Sequence, residues 1–217
     1  MTMAKDGART ERRREALRGA LLKLIISGKL AGGEKLNELE LSRQLETSRT
    51  PLREALLHLE REGFVRSDMR RGFTVEPLSS REVRETYPLL AELECFAVRE
   101  SAHFLPLVFD ELRRINRDFA KAKSAAAARA LDTRWHQTLM SQSKNARLAQ
   151  IVDGLRLAIS RYERCYMSDA GLVAISAKQH DDILGAFEAG DVARGLKALE
   201  HNYRFGMQAL LRKMGEE

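Results

Sequence analysis

Two helical patterns separated by only three residues constrain this chain more than any other feature. Apolar positions recur at helical spacing over 38–45 and again over 50–62, and only Glu46-Thr47-Ser48 lies between them. A linker that short holds two helices at a steep angle, the arrangement of a helix-turn-helix. Ser48 has the side chain of an N-cap, and Pro51 suits the first turn, where a missing N–H loses no bond. Arg49, Thr50 and Arg53 then gather at the start of the second helix. From that position a DNA-reading helix makes its base and phosphate contacts.

The flanking sequence extends this unit. A helical pattern over 10–27 puts Leu17, Ala20, Leu21, Leu24 and Ile25 on one face and meets Gly28, a C-cap residue. Glu34-Lys35-Leu36 reads as a very short strand. Gly63 stops the second reading helix. Phe64-Val65-Arg66 and Gly72-Phe73-Thr74-Val75 then read as short strands around Ser67-Asp68-Met69-Arg70-Arg71, a hairpin wing with a basic tip. Arg70 and Arg71 either reach a phosphate or the minor groove, or form a solvated turn. Residues 1–9 are polar and expected to be disordered. Pro77 and Ser79-Ser80 mark a boundary, giving a DNA-binding domain over 10–78 and a second domain over 79–217.

Beyond Ser79 no strand pattern is evident. Helical segments read as 80–103, 106–123, 125–141, 145–168, 171–189 and 191–214, with short connections, which predicts an antiparallel all-α bundle. Pro88 fits badly inside the first segment and predicts a kink or a late start. The expected fold class is therefore mainly α: a winged helix-turn-helix with a small β wing, followed by a helical bundle. Composition agrees, with 44% hydrophobic, 31% charged and only 6% aromatic residues. The net charge is +6, and residues 1–78 carry 16 Lys+Arg against 12 Asp+Glu, or +4 of it. That bias fits a nucleic-acid face without requiring one. Cys95 and Cys165 lack C-x-x-C spacing and read as buried thiols in a reducing compartment. The Arg-rich N-terminus has no apolar signal segment, and no apolar run reaches the ~20 residues of a membrane span. A cytoplasmic protein with no membrane partner is expected.

The histidines carry a second pattern. Asp132 and His136 are four apart and share one helix face. His180 and His201 fall in the last two helical segments, which the tight Ala189-Gly190-Asp191 turn makes antiparallel neighbours. One carboxylate and three imidazoles from three helices can converge inside the bundle, a donor set that suits Zn²⁺, Ni²⁺, Mn²⁺ or Fe²⁺ with positions left open. Spacing alone favours ordinary helix histidines, as His58 and His103 are read to be.

Several of these motifs resemble a known family. Gly33-x-x-Leu36, Glu38-x-x-Leu41, the run Ser48 to Leu56, Leu59-Glu60-x-Glu62-Gly63 and Arg71-Gly72-x-x-Val75 resemble the GntR family of bacterial transcription regulators. The helical remainder resembles that family's FCD effector domain (fatty-acid-responsive-regulator C-terminal). The resemblance implies a homodimer on a palindromic operator in double-stranded DNA, with affinity controlled by a small effector, most simply as a repressor. Arg49, Thr50 and Arg53 match the DNA-contacting helix and Ser48 its capping hydroxyl. Leu39 stands where some relatives carry a DNA-contacting arginine. Asp132-x-x-Trp135-His136 resembles the family's Asp-x-x-Phe-His metal motif, and His180 and His201 match its remaining ligands, which implies a divalent ion, zinc foremost. Asn145 matches a family asparagine at a helix start, or is a plain N-cap. Many relatives carry an effector-binding arginine three residues after a tyrosine; here Tyr87 is followed by Leu90. Arg156, Arg161 or Arg164 then replaces that cation, or the ligand is not a simple carboxylate. The resemblance thus implies an organic-acid-like effector at a metal site. The alternatives are a regulator for which the ion itself is the signal, and a helical metalloenzyme fused to a DNA-binding module. Against the enzyme, the chain lacks His-Glu-x-x-His, paired Glu-x-x-His, a nucleophile elbow and a Gly-rich phosphate loop.

Overall fold

The computed structural model describes residues 2–68 and 72–216. The chain divides into two compact units, Met1–Leu78 and Ser79–Glu217.

In the first unit, α1 (Thr2–Ile26) begins well before the periodic apolar face does. Residues 2–9, expected to be disordered, belong to this helix. Ala, Lys and Arg in that stretch are good helix formers, while Asp6 and Gly7 are not. α2 (Glu38–Gln44) starts at Asn37, whose side chain accepts from the N–H groups of Leu39 and Glu40. α3 (Arg49–Arg61) follows. The chain turns between them through Glu46, a non-glycine residue at φ 49°, a left-handed conformation that L side chains adopt only at some expense. Leu52, Ala55, Leu56 and Leu59 of α3 are buried and meet Leu17, Leu21 and Ile25 of α1 in one core. Arg18 of α1 ties down the end of α3 by donating to Glu62, with the closest contact at 2.6 Å. Gly63 leaves α3 at φ 76°. β1 (Val65–Asp68) and β2 (Gly72–Val75) pair antiparallel, Val65 opposite Val75 and Asp68 opposite Gly72. The third short strand expected at 34–36 is an isolated bridge, Lys35 to Thr74, reinforced by Leu36 N–H donating to Phe73 O at 2.8 Å. Arg70 and Arg71 lie outside the described residues.

The second unit is helical throughout its described residues: α4 (Ser80–Ser101), a 3₁₀ segment (Ala102–Val108), α5 (Phe109–Ala120), α6 (Ala125–Met140), α7 (Ala146–Met167), α8 (Ala170–Glu188) and α9 (Val192–Lys213). Side-chain caps start five of these helices. Ser79, Ser124, Asn145, Asp169 and Asp191 each accept from a first-turn N–H, satisfying donors that have no partner inside the helix. Pro88 does not delay α4, which starts at Ser80 and continues through it. It lies on the exposed side, where the carbonyl it leaves unpaired can turn to water. Pro106 instead sits in the 3₁₀ segment, so α5 starts at Phe109 and not at 106. α9 lies against α4, α7 and α8, while α5 meets α6 and α8. Trp135, Tyr162, Phe119, Leu90 and Leu112 are fully buried at the centre. Among the described residues, no helix is long and apolar enough to cross a membrane.

One glycine is fixed by packing. A Cβ on Gly195 of α9 would come within 2.4 Å of the buried Phe187 ring of α8. Gly195→Ala gains about 1 kcal/mol of helix propensity. Overpacking is expected to outweigh it, at about 1–3 kcal/mol, so thermal unfolding should show a midpoint no higher than that of the natural chain and lower by up to several degrees.

Candidate nucleic-acid interface and metal centre

The apolar stripe of α3 dictates what its other face presents. With Leu52, Ala55, Leu56 and Leu59 turned inward, Ser48, Arg49, Thr50 and Arg53 are all exposed. Arg53 stays close to the wing: its guanidinium lies 5.9 Å from the centre of the Phe73 ring and its Nε 3.8 Å from Glu38 Oε2. Arg49 and Arg53 line one shallow groove together with Lys35, Asn37 and Leu39. Arg13 and Arg14 of α1 border a second groove beside Ser48 and Thr50, where Arg14 pairs with Glu54 at 2.7 Å. Ser48 occupies the N-cap position in extended conformation, but its hydroxyl makes no capping bond. This corrects the capping role expected of its side chain.

In the helical unit, Asp132 and His136 of α6 and His180 of α8 are buried together, and each has a ligand atom within 4.8 Å of the others'. Their outer atoms are already fixed. His136 Nδ1 lies 2.8 Å from Glu94 Oε2, and His180 Nδ1 lies 3.0 Å from Asn116 Oδ1. Asn116 is itself anchored by donating to Ala177 O and Asp181 Oδ1. With Nδ1–H donating to an oxygen, the Nε2 lone pair is left for the centre, the usual arrangement around a metal-ligating histidine. His180 Nε2 is buried and has no hydrogen-bond partner. It lies 3.7 Å from Asp132 Oδ1, too far for a hydrogen bond but compatible with two donors that each reach one ion at roughly 2.0–2.2 Å. Trp135 stacks on the His180 ring at 3.8 Å and holds it in place.

The electrostatics set the protonation of the donors. Burial, aided by His136 and Arg156, keeps His180 well below its usual range and therefore neutral. Burial raises Asp132 above the ordinary carboxylate range. Burial, with Asp132 close by, pushes Glu163 up to about 8. Glu94 behaves oppositely: burial would raise it, but Arg156 and then His136 outweigh that and bring it down to about 2. Arg156 donates to Glu94 Oε1 through Nε at 2.9 Å and through Nη2, and Nη2 also reaches the Tyr203 hydroxyl.

A cavity of about 40 Å³ opens beside the cluster, walled in part by Tyr87, Arg156, Glu163, Asn202 and Tyr203. Tyr87 and Arg156, two of the expected effector residues, thus line it. The other three do not. Asn145 uses its side chain to cap α7. Arg161 is held by Glu82 at 2.8 Å. Arg164 follows buried Glu163 by one position and faces solvent. His201 does not join the cluster either. On α9 the buried phase runs through Leu199, Asn202 and Tyr203, leaving His201 exposed. The spacing argument missed Glu94, Asn116, Glu163 and Asn202. Glu94 had a signal, an acid in the otherwise apolar stripe Tyr87, Leu90, Ala91, Val98.

Comparison with known proteins places both units. Residues 13–75 match the model "Bacterial regulatory proteins, gntR family", and residues 85–204 match the FCD domain. The chain is 29% identical over 181 residues to a Paenarthrobacter nicotinovorans protein described as "Probable D-xylose utilization operon transcriptional repressor", covering 82% of this chain and 80% of that one. It is 33% identical over 147 residues to the "Nta operon transcriptional regulator" of Aminobacter aminovorans, covering 64% and 69%. Among solved structures, E. coli McbR/YncC shares the fold with a TM-score of 0.78 at 20% identity, over 93% of this chain and 98% of that one.

Proposed function

The chain belongs to the GntR family of bacterial transcription regulators, with an FCD domain as its second unit, and from that premise we propose that it is a cytoplasmic repressor whose hold on a palindromic operator is set by a divalent ion and a small organic-acid-like ligand in the helical unit. It is a regulator and not an enzyme, as its family and relatives are. A palindrome asks for two reading helices related by a two-fold axis, hence a homodimer. Arg49 and Arg53 are the side chains for guanine edges and phosphates, Thr50 for phosphate. One bidentate arginine–guanine contact discriminates by roughly 1–3 kcal/mol. Repression is favoured by the likeness to a relative described as a repressor.

The observation that carries the ion is His180 Nε2, a buried neutral imidazole nitrogen with no partner, facing a carboxylate and next to a second imidazole. His136, His180 and Asp132 would hold the cation, which would supply open coordination positions for an oxygen ligand. Glu94 and Asn116 keep both imidazoles turned toward it. An organic acid does not fit in about 40 Å³, since one water already needs roughly 10–15 Å³ by this measure. Its entry would displace the Tyr87 and Tyr203 walls, and that displacement would carry the signal. A coupling of roughly 1–3 kcal/mol suffices.

Fluorescence anisotropy on an operator duplex tests both halves. Arg49→Ala should lower affinity about tenfold or more, and Arg53→Ala should flatten the dependence of log affinity on log salt by about 0.9 if it meets one phosphate. Wild-type affinity should change when ions are chelated and again when organic acids are added to ion-loaded protein. An Arg49→Ala variant that binds like wild type removes the reading face. Affinity indifferent to both chelator and acids removes the regulatory half. The small cavity also favours a second reading, in which the ion alone is the signal; affinity would then follow free ion with no response to any acid.

A further inference from the structure

Helix α9 contributes to the cavity the residue next to the one expected. His201 is exposed, whereas Asn202 is buried and lines the cavity with Asp132 and His136. The Asn202 amide is oriented by α8: its Nδ2 donates to Gln179 Oε1 at 2.8 Å. Gln179 directly precedes His180, so one stretch of α8 both supplies an imidazole and sets the Asn202 carboxamide. With Nδ2 committed, Oδ1 is the atom left for the cavity. Resting on the proposed metal site, we infer that Asn202, through Oδ1, is the fourth protein donor to the ion, and that the set of two imidazole nitrogens and two oxygens makes this centre relatively more receptive to Mn²⁺ than a three-histidine centre would be.

The chemistry follows from donor softness. Imidazole suits zinc, copper, iron and nickel, while carboxylate, carbonyl and water oxygens suit manganese and other hard ions. Replacing one imidazole by a neutral carbonyl oxygen therefore narrows the gap between Zn²⁺ and Mn²⁺ without adding charge. The absolute order along the divalent series is retained. What Asn202 changes is the ratio.

The test is competitive metal titration of the full chain, with bound Mn²⁺ read by electron paramagnetic resonance and Zn²⁺ by a chromophoric chelator. Asn202→His should widen the Zn²⁺ to Mn²⁺ affinity ratio by about tenfold or more. Asn202→Ala should weaken Mn²⁺ binding by about tenfold or more, and Asn202→Asp should strengthen it, a gain that a misfolded variant cannot produce. His201→Ala should change neither affinity. The assignment is overturned if His201→Ala weakens binding, or if the Asn202 variants titrate like the natural chain. Asp132→Ala separates this assignment from the reading beneath it: if that variant also keeps both affinities, the metal site itself is wrong, whereas loss of binding there with silent Asn202 variants removes only Asn202.

Discussion

Glu94→Ala should unfold the helical unit at temperatures where the natural chain is intact. Glu94 has no exposed surface, and it accepts from both Arg156 and His136, which are themselves buried. Deleting its carboxylate strands a guanidinium in the interior, and breaking a buried pair from one side costs about 3–5 kcal/mol. For a protein of this size that corresponds to a fall in Tm on the order of 10 °C, measurable by circular dichroism. A midpoint within about 2 °C of the natural chain would mean that Arg156 finds another partner or reaches water. Acid should reveal the same group. The Glu94 carboxyl lies at about 2 in the folded chain, below its ordinary 4.5. Its contribution is therefore complete above pH 4.5 and lost as pH falls toward 2. The loss of stability across that window should be shallower in the variant. Glu94→Gln keeps the shape and one acceptor, and should fall between the two.

The second large effect concerns the ion. Chelating divalent ions should lower the thermal midpoint of the natural chain, because an ion that binds only the folded state at a thousand times its Kd adds about 4 kcal/mol. His180→Ala and Asp132→Ala should remove the difference between chelated and ion-loaded samples, since each deletes a donor of the buried cluster. His201→Ala should keep it. Scanning calorimetry of the four proteins, with and without ion, gives the comparison. Coincident transitions for the natural chain in both conditions would mean that the cluster holds no ion.

How much of this the sequence disclosed depends on whether a residue's role is set by spacing along one helix or by the phase of several. The exposed Arg49, Thr50 and Arg53 were legible because the apolar stripe of the same short helix fixes their direction. Asp132 and His136 were legible for the same reason, four residues apart on α6. His201 lies off the buried cluster because one position on a helix is a turn of about 100°. The buried neighbours Leu199 and Tyr203 determine that phase, and they turn Asn202 inward. Of Arg156, Arg161 and Arg164 on α7, the first two are buried, but only Arg156 lines the cavity; Arg161 is taken up by Glu82, 79 positions away, a pairing that spacing along α7 does not disclose. Glu94 was passed over because an acid in an apolar stripe reads as a break in the pattern, whereas its partners come from α6 and α7, more than forty residues away.

If α3 reads DNA as proposed, the missing Ser48 cap bears on the order of events there. The opening amides of α3 receive no side-chain cap from their own chain, and they sit at the positive end of the helix next to Arg49. A phosphate oxygen is the natural acceptor for such groups. The duplex backbone would then finish the helix that reads it, and the first turn of α3 would be firmest only once the protein is seated, which makes local ordering part of the binding energy and of its dependence on salt.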